Sequence, residues 1–155
     1  MRRIGPEDWK VFREVRLAAL REAPYAFGST YEGEAGASEE SWRNRLRDRT
    51  RFVAIVDGQV VGTVAAGTGE FTGAAALTAL WVDPRFRGQG VGTALIDAVM
   101  EWARSEQFDQ VLLWVTEVNE TAARLYEHHG FTRTGRVSDV RRGEAAVEHE
   151  MSRGI

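Results

Sequence analysis

The segment from Leu80 to Leu95 constrains the fold of this chain more than any other part of the sequence. It reads LWVDPRFRGQGVGTAL: an apolar run ends at a proline, three glycines follow within five residues, and an amphipathic helix begins. Glycines let backbone N–H groups approach a ligand closely, and a helix N-terminus adds unpaired N–H groups with a partial positive charge. A buried strand, a glycine turn and a helix in this order predict a site for a pyrophosphate.

Two well-known phosphate-binding motifs do not fit this turn. A nucleotide-binding P-loop needs Gly-Lys-Ser/Thr after the turn, whereas the chain has Gly92-Thr93-Ala94. A dinucleotide fingerprint needs a glycine or alanine three residues after its second glycine, and the two possible positions hold Leu95 and Thr93. Two alternatives remain, a pyrophosphate site of another kind, to which Arg87 would add a positive charge, and a tight turn without a ligand.

The rest of the chain alternates helical and strand-like patterns, without a repeat, a low-complexity tract or a linker. Helices are predicted over residues 6–23, 38–49, from 92 onward and 119–128, and strands over 52–56, 59–66, 75–82, 111–116, 131–140 and 145–151. Residues 24–38 favour a loop or a broken helix. We therefore expect a single α+β domain over residues 1–155, built around a mixed sheet.

Composition excludes several classes of protein. The net charge of −3 and the pI of about 5.7 provide no basic excess for nucleic acid. There is no cysteine for a disulfide, a thiolate metal site or a nucleophile, and the three histidines lack metal-ligand spacing, so we expect no metal. No apolar run approaches the roughly 18 residues of a membrane span, and the charged start is unlike a secretory signal. We expect a cytoplasmic protein with no membrane partner.

A second informative segment, NETAARLYEHHGF, runs from Asn119 to Phe131. From the residues alone, Asn119 is a helix N-cap and Tyr126 belongs to a helix that packs into the core. Taken with the Arg-x-x-Gly-x-Gly pattern at Arg87–Gly92, the pattern Asn-x-x-Ala-x-x-Leu-Tyr-x-x-x-Gly-Phe resembles the GNAT superfamily of N-acetyltransferases. The two motifs and their strands cover roughly residues 75–132.

The resemblance implies a fold and a cosubstrate. The implied GNAT fold is α+β and sandwich-like, with a central mixed, mostly antiparallel sheet of about six or seven strands and about four flanking helices. The strands at 75–82 and 111–116 would splay apart and admit the pantetheine arm of acetyl-CoA. The implied cofactor-binding residues are Leu80, Trp81, Val82, Arg87, Gly88, Gln89, Gly90, Val91, Gly92, Thr93, Asn119 and Tyr126.

The resemblance also implies an activity, the transfer of acetyl from acetyl-CoA to a primary amine of a small molecule, peptide or protein. A backbone N–H near Val82 would polarise the thioester carbonyl, and Tyr126 would protonate the leaving thiolate. Because no cysteine can carry an acetyl intermediate, we expect direct transfer in a ternary complex. The alternative is a non-catalytic acyl-CoA-binding sensor or interaction module. A homodimer is possible, as among similar proteins.

The general base is less clearly marked. Some members carry a glutamate where this chain has Trp114, so Glu117, at the end of the same strand, is our candidate. Loop alternatives are Glu70, Glu34 and Asp139, each of which is also consistent with a solvated surface acid, and water is a further alternative.

Two charged segments have a simple surface interpretation. We expect the five arginines at alternate positions, Arg43, Arg45, Arg47, Arg49 and Arg51, to form a solvated helix face. The acids Glu32, Glu34, Glu39 and Glu40 could attract a cationic amine, but solubilising surface is the favoured interpretation.

Overall fold

The computed structural model describes residues 1–23, 30–139 and 147–155, except the side chain of Asp139. The helices are α1 (Trp9–Glu22), α2 (Tyr31–Ala35), α3 (Glu39–Asp48), α4 (Val91–Ser105) and α5 (Glu120–His128), with 3₁₀ turns at Pro6–Asp8 and Pro84–Phe86. The strands are β1 (Arg2–Ile4), β2 (Thr50–Val56), β3 (Gln59–Thr68), β4 (Ala74–Val82), β5 (Gln110–Thr116), β6 (Thr132–Asp139) and β7 (Val147–Gly154). The predicted ends of the last two strands, at residues 140 and 145–146, lie outside the described residues.

All seven strands join one sheet in the order β1-β2-β3-β4-β5-β7-β6. Neighbouring strands are antiparallel except β4 and β5, which are parallel because α4 crosses over between them. The α+β class and the mixed, mostly antiparallel sheet are confirmed. Strand β1 was not predicted: residues 2–4 are too few and too charged to show a period, and their strand conformation depends on pairing with β2.

Local signals mark several element ends where the sequence predicts them. The β2–β3 hairpin turns at Asp57 and Gly58, whose φ values of 50° and 80° are those of a type I′ turn. Ser38 caps α3 by accepting a hydrogen bond from the Ser41 N–H at 3.1 Å. Among the described residues, no helix is long and apolar enough to span a membrane.

Each face of the sheet covers its own apolar core. On one face, α4 and α5 pack on the central strands, with Leu95, Val99 and Phe131 fully buried. On the other face, α1 and α3 pack through Phe12 and Trp42, whose rings meet edge to face at 5.3 Å. The helices therefore cover both faces of the sheet.

Strand β4 has two irregularities in its pairing with the neighbouring strands. It pairs with β5 only over Ala74–Ala76, after which the two strands have no paired residues. Against β3 its register slips, so that two β4 residues, Ala79 and Leu80, lie opposite Val64. This is a β-bulge, and Ala79 has a φ of 55°. The part of β4 beyond residue 76 therefore has a backbone edge on its β5 side that no described strand pairs with.

Candidate functional site

The glycine turn leads the chain from β4 into α4 in a conformation that suits glycine. Gly90 is the N-cap of α4 with a φ of 84°, and no atom lies within 4 Å of the position a Cβ would occupy. Gly88 has a φ of 76°. Among the described residues, no backbone N–H from Gly88 to Gly90 donates to another backbone group, and the first N–H groups of α4 have no partner within the helix. The turn therefore presents a concave set of N–H donors.

A first cavity of about 490 Å³ lies between this turn, the end of β4 and the start of α5. Its lining includes these predicted cofactor residues: Leu80, Trp81, Val82, Arg87, Gly88, Gly90, Gly92, Thr93 and Asn119. Ala23, Thr121, Ala122 and Leu125 complete it. Gln89, Val91 and Tyr126 are not part of the lining. An apolar cleft that ends in N–H donors fits an acyl chain attached to a phosphate-bearing carrier.

Arg87 is held at the mouth of this cavity by Glu22, at the end of α1. Its Nη2 donates to the Glu22 carboxylate at 2.6 Å and its Nε to the Val82 carbonyl at 3.0 Å. The same Glu22 oxygen accepts a hydrogen bond from the Trp81 indole at 3.0 Å. The sequence analysis did not single out Glu22, because nothing local distinguishes it from any other acid at a helix end.

Asn119 behaves as the helix signal predicts. Its side-chain oxygen accepts a hydrogen bond from the Ala122 N–H at 3.2 Å and so caps α5. The residue lines the first cavity at the same time. Capping and lining are compatible, because the cap orients the start of α5 along the cavity wall.

Tyr126 lies one helical position beyond the cavity lining and is buried, with 6% of its surface exposed. Its ring packs edge to face on Phe131 at 5.8 Å. Among the described residues, the hydroxyl has no hydrogen-bond partner. Burial raises the pKa of Tyr126 above its ordinary value of 10.0, so the hydroxyl keeps its proton at physiological pH.

A second cavity of about 440 Å³ opens on the other side of the β4 bulge. Leu77, Thr78 and Ala79 line it, and the next three β4 residues line the first cavity, so consecutive residues of one strand line the two cavities. The rest of its lining is aromatic or charged: Phe12, Arg16, Arg45, Asp48, Arg49, Arg51, Trp114 and Glu148.

The expectation of a solvated arginine face is wrong for Arg51. It belongs to β2, not to α3, and only 6% of its surface is exposed. Its guanidinium donates to the Thr63 hydroxyl at 3.1 Å and stacks over the Phe12 ring at 4.3 Å. Burial, together with the charges of Arg16, Arg45 and Arg49, lowers the pKa of Arg51 to about 9.

The surface interpretation of Glu34 is also wrong. Its carboxylate accepts two hydrogen bonds from Arg16 at 3.0 Å and one from Arg45 at 2.9 Å. Partial burial opposes ionisation, but these hydrogen bonds and charges outweigh it and lower the pKa of Glu34. A carboxylate held in this way is a weak proton acceptor. Glu32, Glu39 and Glu40 are exposed, as expected.

The remaining candidate bases differ in position. Glu117 is exposed and lines neither cavity; its carboxylate lies 3.5 Å from His149 Nε2. Glu70 is exposed and pairs with Arg136 at 3.4 Å, while the Asp139 side chain lies outside the described residues. Glu148, which the sequence analysis did not single out, lines the second cavity, and burial raises its pKa above the ordinary 4.5.

Comparison with known proteins identifies the family. The model of the acetyltransferase (GNAT) family matches residues 13–131, so this chain belongs to that family. The N-acetylaspartate synthetase of Danio rerio is 41% identical over 88 residues, which are 57% of this chain and 31% of that protein. An uncharacterised N-acetyltransferase of Methanocaldococcus jannaschii is 39% identical over 95 residues, 58% of this chain and 42% of that protein. The chain thus spans less than half the length of these relatives.

Solved structures agree on the fold. A GNAT-family acetyltransferase from Streptococcus pneumoniae superposes with a TM-score of 0.79 at 21% identity, covering 99% of this chain and 98% of that one. A Salmonella typhimurium protein solved with its cofactor acetyl-CoA gives a TM-score of 0.77 at 20% identity, covering 99% and 91%. The likeness at these identities establishes the GNAT fold.

Proposed function

We propose that the protein is an acetyl-CoA-dependent N-acetyltransferase that transfers acetyl directly to a primary amine. The observation that carries this proposal is that consecutive β4 residues line two cavities. Leu80 to Val82 line the first together with the glycine turn, and Leu77 to Ala79 line the second. Two cavities that are lined by neighbouring residues of one strand can hold a donor and an acceptor at the same time.

For the donor, the cofactor-binding residues proposed from the sequence divide into two groups. The turn from Arg87 to Thr93 would hold the pyrophosphate through backbone N–H groups, with the Arg87 charge beside them. Leu80, Trp81 and Val82 would pair with the pantetheine arm through the backbone edge that β5 leaves free. Family membership supports both assignments.

For the chemistry, the neutral amine nitrogen attacks the acetyl carbonyl carbon. A C–N bond forms, the C–S bond breaks, and the carbonyl oxygen carries the developing charge toward a β4 backbone N–H near Val82. The thiolate takes a proton from Tyr126, and the amine gives one up to a base. Burial keeps the Tyr126 hydroxyl protonated at working pH by raising its pKa, which also makes it a weaker acid than an ordinary phenol. The support for its role is therefore the family motif from Asn119 to Phe131 and not the pKa.

For the base we propose Glu148, with Glu117 acting through water as the alternative. Glu148 lines the cavity that would hold the amine, and its raised pKa makes it a better proton acceptor than an ordinary carboxylate. Glu117 would need water as an intermediary, because neither its carboxylate nor the neighbouring His149 lines a cavity.

The test is thiol release from acetyl-CoA across amine acceptors, including free amino acids, peptides, polyamines and aminoglycosides. We expect acceptor-dependent release that falls in Tyr126→Phe. Thermal stabilisation by acetyl-CoA without release for any acceptor would instead favour the non-catalytic acyl-CoA-binding alternative. A cytoplasmic location and a homodimer stay predictions, to be checked by fractionation of the source cells and by the molar mass in solution.

A further inference from the structure

The second cavity has an excess of positive charge. Four arginines line it, Arg16, Arg45, Arg49 and Arg51, against two acids, Asp48 and Glu148. Glu34 lies behind the lining and pairs with Arg16 and Arg45, within 3.0 Å of each. Those two arginines already have a carboxylate partner. Arg49 and Arg51 have none within ion-pair distance among the described residues.

Of these two arginines, Arg51 is the stronger indication of an anionic ligand. It is 6% exposed, and its described polar partner is the neutral Thr63 hydroxyl at 3.1 Å. Glu34 is the acid whose charge favours the Arg51 cation, but it lies beyond ion-pair distance and is shared by Arg16 and Arg45. Burial and three neighbouring arginines outweigh it and disfavour the charge. The depressed pKa of Arg51 agrees with this geometry. Such a cation beside an open cavity is the arrangement that an anionic ligand would stabilise.

Arg49 extends the same positive wall toward solvent. Its Nη1 donates to the Thr78 hydroxyl at 3.2 Å, which places the guanidinium against β4 one residue before the bulge. Trp114 and Glu148 line the cavity from β5 and β7, which follow β4 in the sheet, whereas Arg51 lies on β2 before it. The cavity therefore has a cationic side and an acidic side, with Ala79 of β4 between them.

We propose that the second cavity binds a carboxylate of the acceptor through Arg49 and Arg51, so that the acceptor is an amino acid or a similar carboxylate-bearing amine. This inference rests on the proposed acetyltransferase function. The carboxylate is held on the cationic side, and the amine faces Glu148 and the acetyl group near Ala79. A lysine-like or polyamine acceptor without a carboxylate would leave the cationic side unpaired.

The experiment compares the twenty amino acids with their amides and their decarboxylated amines, by thiol release from acetyl-CoA and by thermal shift. Arg49→Gln removes one charge at an exposed position. Arg47→Gln is the matched control, an exposed arginine that lines neither cavity. Arg51→Lys, which keeps the charge but loses the planar fork, is a second test at the buried position.

We expect at least one amino acid to exceed its amide and its decarboxylated amine in kcat/KM by about 10- to 100-fold, the range of one lost charge-assisted hydrogen bond. Arg49→Gln should raise KM for that acid by a similar factor and leave its amide and the affinity for acetyl-CoA unchanged. Arg51→Lys should do the same, and Arg47→Gln should behave as wild type.

Equal turnover of acids, amides and simple amines would overturn the carboxylate site and leave the acetyltransferase standing. No turnover with any acceptor would count against the proposed function. In that case the carboxylate site would still be supported by an amino-acid thermal shift that Arg49→Gln abolishes and Arg47→Gln keeps. The absence of such a shift would overturn it as well.

Discussion

At the scale of single residues, Tyr126 has two roles that one substitution can separate. Its ring belongs to the core beside Phe131, and its hydroxyl is proposed as the proton donor. Tyr126→Phe keeps the ring, so we expect stability and acetyl-CoA affinity to be retained while kcat falls by about 10². Steady-state thiol release and a thermal melt measure the two separately. A fall in kcat of less than about threefold would remove Tyr126 from the chemistry.

A second residue-scale prediction concerns the base. The pKa of Glu148 is raised by burial, so the carboxylate gains its proton at a higher pH than usual as the solution is acidified. We expect the wild-type kcat/KM to fall on the acid side above pH 4.5. Glu148→Gln should abolish this acid-side fall, or acid limb, and should lower kcat by a factor of about 10². Glu117→Gln is the control. If it, and not Glu148→Gln, removes the limb, the base is Glu117.

At the scale of elements, the turn before α4 depends on Gly90. A Cβ there meets no atom within 4 Å, so Gly90→Ala is strained through its φ of 84° and not through crowding. The expected loss is about 1–2 kcal/mol of stability, with about a tenfold weaker binding of acetyl-CoA. Gly58→Ala has a similar φ of 80° and equally open space in the β2–β3 hairpin. It should lose similar stability and bind acetyl-CoA normally; weakened binding in both variants would point to a global effect.

Three helices on one face of the sheet are joined through Glu34. Its carboxylate on α2 pairs with Arg16 on α1 and Arg45 on α3. Because Glu34→Gln removes the carboxylate that the buried Arg16 shares with the partly exposed Arg45, we expect a loss of about 2–3 kcal/mol at pH 7, measured by urea unfolding. The pKa of Glu34 is lowered, so its contribution is present above pH 4.5 and is lost as the pH falls through the lower folded value. The difference in the free energy of unfolding between Glu34→Gln and the wild type should therefore shrink over the same fall in pH. Glu32→Gln, an exposed neighbour, should cost little; an equal loss would contradict the Glu34 argument.

At the scale of the whole molecule, two substrates should bind before chemistry. With no cysteine to carry acetyl, we expect initial-rate lines that intersect when both substrates are varied, whereas parallel lines would indicate a covalent intermediate. Acetyl-CoA at 100 times its Kd should stabilise the fold by about 2.7 kcal/mol. That corresponds to a rise in Tm of roughly 5–10 °C for a domain of this size.

The sequence by itself determined the parts of the molecule that depend on neighbouring residues. The strand, glycine turn and α4 were predictable because a positive φ, a helix N-terminus and an apolar stripe are local properties. The caps at Ser38 and Asn119 and the hairpin at Asp57-Gly58 were predictable for the same reason. Those features were enough to identify the family motifs and the wall of the first cavity.

The tertiary structure alone decided the contents of the second cavity. Arg51 follows an alternation of arginines that looks solvated, and it is buried only because β2 runs beneath Phe12 of α1. Glu148 comes from the far end of the chain and reaches the same cavity through the pairing of β7 with β5. Burial and charge pairing across such separations depend on strand register and helix packing, which no local pattern of residues encodes. The proposed donor side of the site could therefore be predicted from the sequence, whereas the proposed acceptor side required the folded chain.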